Sequence, residues 1–325
     1  MKDSFDRIID YMRISITDRC NLRCVYCMPS NGVEAVEHCD ILTFEEIARI
    51  VRVAAGLGVR KIRITGGEPL ARKGVAHLIS SIKAVEGIED ISLTTNAILL
   101  GGLAKELADS GLNRVNISLD SFRPERYREI TRGGDISQVM SGIEAAEKAG
   151  LTPIKLNVVP MSGFNDDEIE DFARLTLTTP YHVRFIEFMP IGGRDSWSSD
   201  KYIPTDRIME RVEKIAPLIP VRLRKHGPAR YYRFENASGV IGFISAITHH
   251  FCNDCNRLRI TSDGKLRPCL FSDTEIDLKP AIRSSDSDKE IERLLRLSIA
   301  IKPDGHNINK QSHLKSLSAM SRIGG

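Results

Sequence analysis

Apolar and polar residues alternate in a series of short segments along the first two-thirds of the chain. In KIRIT (61–65), Lys61, Arg63 and Thr65 share one face while Ile62 and Ile64 take the other, because successive Cβ atoms of a strand point to opposite sides. ISLTTN (91–96) sets Ser92, Thr94 and Asn96 against Ile91 and Leu93, and VNISLD (115–120) sets Asn116, Ser118 and Asp120 against Val115, Ile117 and Leu119. KLNV (155–158) opposes Lys155 and Asn157 to Leu156 and Val158. With YMRISIT (11–17) and HVRFIEF (182–188) these make six predicted strands. Helices are predicted in the intervals. Thr43 and Glu46 fit a capping box ahead of the stripe Ile47, Ile50, Val51 and Ala54, and Gly56 or Gly58 can end that helix. Further helices are predicted over 73–86, 101–110, 123–130, 136–149 and 166–176.

Strands separated by helices imply parallel βα units wound right-handed, as an incomplete barrel or a doubly wound sheet. The apolar faces pack on the helices, so the polar faces point inward. An ordinary barrel fills its interior with bulky branched side chains. Four strands presenting polar and cationic groups there imply a wet cavity for a polar ligand. The alternative is an antiparallel sheet with one solvated face. Beyond about residue 216 the pattern changes to short β segments with turns, a polar stretch at 284–290 and a short helix near 289–300. The expected organisation is a barrel over 1–215 and a smaller module over 216–325, with no internal repeat.

Composition narrows the class. At 325 residues, 42% hydrophobic and 27% charged, the chain has a sizeable core to bury. A net charge of +3 does not suggest a nucleic-acid protein, so basic sites should be local. The first residues carry acids and no long apolar stretch, and no segment approaches a membrane span. The expectation is a soluble cytoplasmic protein that binds neither membrane nor nucleic acid. Seven cysteines in such a chain point to metal or catalysis rather than disulfides. Three lie at Cys20, Cys24 and Cys27 and three at Cys252, Cys255 and Cys269, while Cys39 stands alone as a small buried or incidental residue.

Each trio lacks a fourth ligand. A structural zinc site needs four, and His249 and His250 could complete the second trio. An iron–sulfur cluster held by three thiolates leaves one iron open to a ligand that is not protein. C-x3-C-x2-C with Tyr26 before the last cysteine resembles the signature of the radical S-adenosylmethionine (SAM) superfamily, and Gly66-Gly67-Glu68-Pro69 after a strand resembles its glycine-rich segment. The resemblance implies an incomplete (β/α)6 barrel. It also implies a 4Fe-4S cluster that binds SAM at its open iron and cleaves it to a 5′-deoxyadenosyl radical.

The second trio, C-x2-C-x13-C with Arg257 and Arg259 between its cysteines, carries a closer resemblance. RISITDRCNLRCVYCMP, KIRITGGEPLARK, NISLDS, KLNVV, RFIEFMPIG, CNDCNRLR and the terminal Gly-Gly are similar to the GTP 3′,8-cyclase family of molybdenum cofactor biosynthesis. The resemblance implies a second 4Fe-4S cluster that binds the guanine of GTP. It implies GTP contacts at Arg13, Arg63, Thr94, Lys155, Arg257, Leu258 and Arg259, with Lys61 and Arg184 near the triphosphate. It implies SAM contacts at Tyr26, Gly67, Ser118 and Met189, and catalytic roles for Arg257, Arg259 and the tail residues Gly324 and Gly325. The implied reaction removes hydrogen from C3′ of GTP and joins C3′ to C8. An external electron donor, a homodimer and hand-off to cyclic pyranopterin monophosphate synthase are further implications. Two other readings stay open: a peptide-modifying radical SAM enzyme with an auxiliary cluster, and a metal-stabilised nucleotide- or RNA-binding module.

Overall fold

A computed structural model describes residues 1–191, 197–223, 227–284, 287–306 and 320–324. Six βα units open the chain. Strands β1 (Tyr11–Ser15), β2 (Lys61–Thr65), β3 (Asp90–Thr95), β4 (Arg114–Ser118), β5 (Lys155–Val158) and β6 (His182–Ile186) pair in parallel, each with the next. The antiparallel alternative is therefore excluded for this part. Helices α1 (Phe44–Gly56), α2 (Val75–Lys83), α3 (Ala104–Asp109), α4 (Pro124–Thr131), α5 (Ile136–Lys148), α6 (Ile169–Thr178) and α7 (Thr205–Glu213) cover one face. The Thr43 hydroxyl accepts from the Glu46 amide at 3.2 Å and the Glu46 carboxylate accepts from the Thr43 amide at 2.8 Å, so the capping box is formed.

The alternation explains the layering. Ile62, Ile64, Ile91, Leu93, Val115, Ile117, Leu156 and Val158 are all buried against the helical stripes, together with Ile47, Ile50, Val51 and Ala54. Each such side chain contributes about 1.5–3 kcal/mol of burial. The opposite face is left to the polar set.

The C-terminal third builds onto both edges of this sheet. Strands β7 (Ile219–Val221), β8 (Arg230–Arg233) and β9 (Val240–Ile244) lie beyond β6, with β9 parallel to it. Strands β10 (Arg257–Ile260), β11 (Lys265–Arg267) and β12 (Ile276–Asp277) lie beyond β1, with β10 parallel to it. Eight strands thus run parallel in the order β10-β1-β2-β3-β4-β5-β6-β9, and among the described residues β9 and β10 do not close on each other. Helices α8 (Lys279–Ser284), α9 (Lys289–Ala300) and α10 (Met320–Ile323) complete the chain. None of the described helices is long and apolar enough to cross a membrane. Strands of about five residues at roughly 3.3 Å per residue separate the two mouths of the partial barrel by about 15 Å.

Candidate active site

The first cysteine trio occupies the mouth at the carboxyl ends of the strands, in the loop after β1. The amides of Val25 and Arg23 donate to the carbonyls of Ile130 and Thr131, which ties this loop to the end of α4. Arg23 and Arg132 add side-chain bonds to the carbonyls of Cys20 and Met28 at 2.6 and 2.9 Å. The glycines of GGEP also make a backbone contact of their own. The Gly67 amide donates to the Thr17 carbonyl at 2.7 Å, and a Cβ on Gly67 would stand 2.4 Å from the Arg19 carbonyl oxygen. Glycine here lets two backbones touch, which fixes the cysteine loop on β2.

Two acids that the sequence reading passed over brace this mouth. Glu68 accepts from the Leu70 amide, the Asn96 amide and the Thr95 hydroxyl at 3.0, 2.8 and 2.8 Å. Burial nevertheless pushes its carboxyl up to about 7. Asp120 accepts from the Tyr26 hydroxyl at 2.6 Å and the Val159 amide at 2.8 Å, and burial pushes it to about 6. Asp120 lay on the polar face of the alternation and Glu68 in the quoted motif, so the signal existed without a role attached. Tyr26, Gly67, Ser118 and Met189 all fall at this mouth. Ser118 ends β4, and Met189 follows β6, its carbonyl accepting from the Ile191 amide at 2.8 Å.

The thiols of both trios are unpaired. Burial and then the neighbouring Cys27, Asp120 and Cys20 push the Cys24 thiol far up, and burial with Cys20 pushes Cys27 to about 12. Such thiols ionise at neutral pH only against a metal. Tetrahedral zinc at about 2.3 Å from each sulfur requires sulfurs about 3.8 Å apart. In neither trio do all three sulfurs lie within 4.8 Å of one another. Three thiolates are a donor set that suits an iron–sulfur cluster with one iron open to a non-protein ligand. Of the two histidines, His249 bonds Asp206 at 2.9 Å, while His250 packs on the His306 ring and borders Gly305, as Cys252 does. Cys39 is exposed rather than buried.

The second trio occupies the opposite mouth. Cys252 and Cys255 precede β10, and the antiparallel pairing of β10 with β11, Arg259 opposite Arg267, returns the chain to Cys269. Arg7 donates to the Cys252 carbonyl at 2.9 Å, and Lys302 donates to the carbonyls of Arg257 and Pro268 at 3.0 and 2.6 Å. Burial would raise the Cys255 thiol, but the Lys302 ammonium and the Arg257 guanidinium outweigh it and hold the thiol below its ordinary range. The two trios thus sit in opposite fields, acids beside the first and cations beside the second.

Between the mouths the interior is cationic. Register sets Arg259 opposite Arg13 and Arg13 opposite Arg63, so three guanidiniums stand side by side across β10, β1 and β2. Arg63 donates to Ser92 at 3.2 Å and Arg184 to Asn116 at 2.7 Å. Burial, then Arg184, Arg114 and Arg63, push Lys155 down to about 6. Burial and Arg257 bring Arg259 down to about 10, and burial holds Arg63 at about 10. The acids at this end are engaged: Asp10 accepts from Lys61 at 2.7 Å and from the Asn256 side-chain amide at 2.6 Å, and Asp90 takes Arg114 in a bidentate pair. Lys61 therefore shares the predicted face with its charge committed. Arg114, two residues before Asn116 on the same face, was legible by alternation and overlooked. The buried atoms Tyr11 Oη, Thr94 Oγ1, Asn157 Oδ1 and Arg184 Nε have no hydrogen-bond partner among the described residues. Leu258 departs from its neighbours: its side chain lies in the hydrophobic core, so only its backbone faces the cavity side.

The tail enters this cavity. Ser321 and Ile323 are buried, and the Gly324 carbonyl accepts from Arg259 Nη1 at 2.8 Å. Gly324 has φ +76°, and a Cβ there would meet Thr65 Cγ2 at 2.5 Å. Gly325 lies outside the described residues.

Comparison with known proteins agrees with this arrangement. Residues 14–176 match the Radical SAM superfamily and residues 181–308 match Molybdenum Cofactor Synthesis C. The GTP 3′,8-cyclase of Alkaliphilus metalliredigens (strain QYMF) is 52% identical over 325 residues, covering all of both chains. That of Thermodesulfovibrio yellowstonii is 52% identical over 327 residues, again covering both in full. Among solved structures, Streptococcus suis SuiB bound to S-adenosylmethionine superposes with a TM-score of 0.63 at 18% identity. The match covers 86% of this chain and 64% of SuiB, a likeness of fold.

Proposed function

The chain belongs to the GTP 3′,8-cyclase family of the radical SAM superfamily, and on that premise we propose which of its residues carry the reaction. The activity is conversion of GTP to (8S)-3′,8-cyclo-7,8-dihydroguanosine 5′-triphosphate, the first step of molybdenum cofactor biosynthesis. SAM and a 4Fe-4S cluster belong to the radical SAM segment. When bound, that cluster supplies the electron for reductive cleavage of SAM.

In our reading Cys20, Cys24 and Cys27 ligate this cluster. Tyr26, Gly67, Ser118 and Met189 line the SAM side, Tyr26 being held by Asp120. Cys252, Cys255 and Cys269 ligate a second 4Fe-4S cluster at the other mouth, facing guanine. Residues 1–215 supply the SAM half and residues 216–325 the guanine half. Arg13, Arg63, Thr94, Lys155, Arg184, Arg257 and Arg259 bind GTP between them, with the Leu258 backbone, while Lys61 acts through its pair with Asp10. Arg257, Arg259 and the Gly324–Gly325 tail orient the nucleotide for ring closure. Orientation matters most, because the two mouths hold the reacting partners across a fixed gap.

The observation that carries the reading is the buried cationic interior, whose guanidiniums outnumber Asp10 and Asp90. Buried charge without counter-charge is costly, and a triphosphate supplies four negative charges that Arg and Lys bind well. An external reductant, a homodimer, a cytoplasmic location and passage of the product to cyclic pyranopterin monophosphate synthase complete the proposal. Anaerobic reconstitution with iron and sulfide tests it. About eight irons per chain are predicted for two 4Fe-4S clusters, with SAM consumption that depends on GTP. Two zinc ions, or SAM cleavage indifferent to GTP, would overturn it.

A further inference from the structure

Two buried cations secure the second trio, and they differ in one respect. Arg7 bonds the Cys252 carbonyl and carries its own carboxylate, Asp3, at 2.6 Å. Lys302 is only 3% exposed and has no carboxylate partner among the described residues. Its ammonium donates to the carbonyl of Arg257, two residues after Cys255, and to the carbonyl of Pro268, immediately before Cys269. It also stands close enough to the Cys255 thiol to favour its ionised form. One side chain, following α9, therefore joins the two segments that deliver Cys255 and Cys269. A buried ammonium whose hydrogen bonds go to neutral carbonyls lacks a counter-charge, and a ligated thiolate at Cys255 or Cys269 would supply one.

We propose that Lys302 is a positioning residue for the second cluster: it holds Cys255 and Cys269 at ligand spacing and, through its fixed positive charge at the sulfur, raises that cluster's reduction potential above what the same ligands would give alone. The inference rests on the reading that this trio carries a cluster. Hydrogen bonds and charge at cluster sulfurs favour the reduced, more negative state.

The test uses the full-length chain with Cys20, Cys24 and Cys27 changed to Ser, reconstituted so that only the second cluster forms. Parent, Lys302→Met and Lys302→Arg chains are compared by iron content, thermal unfolding and EPR-monitored redox titration. About four irons are predicted in the parent. Lys302→Met is predicted to hold its reduced-to-oxidised ratio at least tenfold lower at a given potential, which is 59 mV for a one-electron couple. Lys302→Arg should recover most of that shift. A Lys302→Met chain with the parent's iron content and a ratio within twofold overturns the inference. If Lys302→Met binds no iron, recovery of iron in Lys302→Arg supports positioning by charge. An iron-free Lys302→Arg chain that unfolds at the parent's temperature overturns it. A parent without iron overturns the second-cluster reading itself and this inference with it.

Discussion

Gly324→Ala puts the tail to a sharp test, because the structure supplies both the strain and its control. Gly324 sits at φ +76°, where an L residue costs about 1–2 kcal/mol. That alone shifts a docked-to-undocked ratio about 5- to 30-fold. The new Cβ would also stand 2.5 Å from Thr65 Cγ2, far inside the 3.4–4 Å of ordinary contact. Thr65 is buried and β-branched, so its methyl cannot swing away freely. The docked tail should be lost, and with it the Arg259–Gly324 hydrogen bond. Gly150→Ala is the control: φ is +75° and nothing lies within 4 Å of its Cβ, so it carries the same backbone strain with no collision. Hydrogen exchange of the C-terminal peptide should quicken at least tenfold in Gly324→Ala, and GTP cyclisation should fall at least tenfold. Gly150→Ala should lose about 1–2 kcal/mol of stability and cyclise within twofold of the parent. A Gly324→Ala chain that exchanges and cyclises like the parent refutes the reasoning.

Three further outcomes follow from the charges. Lys155 is largely neutral at pH 7 in the free protein, with its ammonium at about 6, and a triphosphate beside it restores the proton. Calorimetry in buffers of different ionisation enthalpy should show proton uptake on GTP binding near pH 7.5, with affinity falling up to about tenfold per pH unit above 6; zero uptake contradicts this. Glu68 has a folded value of about 7, above the ordinary 4.5. The folded state therefore binds its proton more tightly, and the contribution of Glu68 to stability is greatest below pH 4.5 and falls by roughly 3 kcal/mol as pH rises through 7. Urea unfolding of the cluster-free chain should show this fall, and Glu68→Gln should flatten it; parallel pH profiles would count against it. Arg257→Met should weaken GTP binding about 10- to 100-fold, the worth of one charged hydrogen bond, at unchanged iron content. Loss of four irons in that variant would make Arg257 structural.

The barrel and its interior were legible because the period of two in each strand is a local property. Arg63, Thr94, Ser118 and Lys155 follow from alternation alone, before any family resemblance. The second neighbour of β1 was not legible: β10 pairs with it across some 246 residues, and no local pattern encodes such a contact. That pairing is what lines up Arg259, Arg13 and Arg63. The alternation also reached Arg114 and Asp120, but a polar position on a strand does not reveal whether it bonds a neighbour or awaits a ligand. Glu68 and Lys302 escaped for a related reason, since their roles come from three-dimensional partners: an acid braced by Thr95 and Asn96, and an ammonium bridging Arg257 and Pro268. The resemblance pointed to Gly67 as a SAM contact, but not to the room this glycine makes for the Arg19 backbone.

The account's central claim is that GTP lies in the cationic interior with its C3′ presented to the SAM mouth. Incubating the reduced, reconstituted protein with SAM and GTP deuterated at C3′ measures this directly. The account predicts deuterium in the 5′-deoxyadenosine released, with a cyclised nucleotide formed in equal amount. Unlabelled 5′-deoxyadenosine alongside unreacted GTP would contradict it.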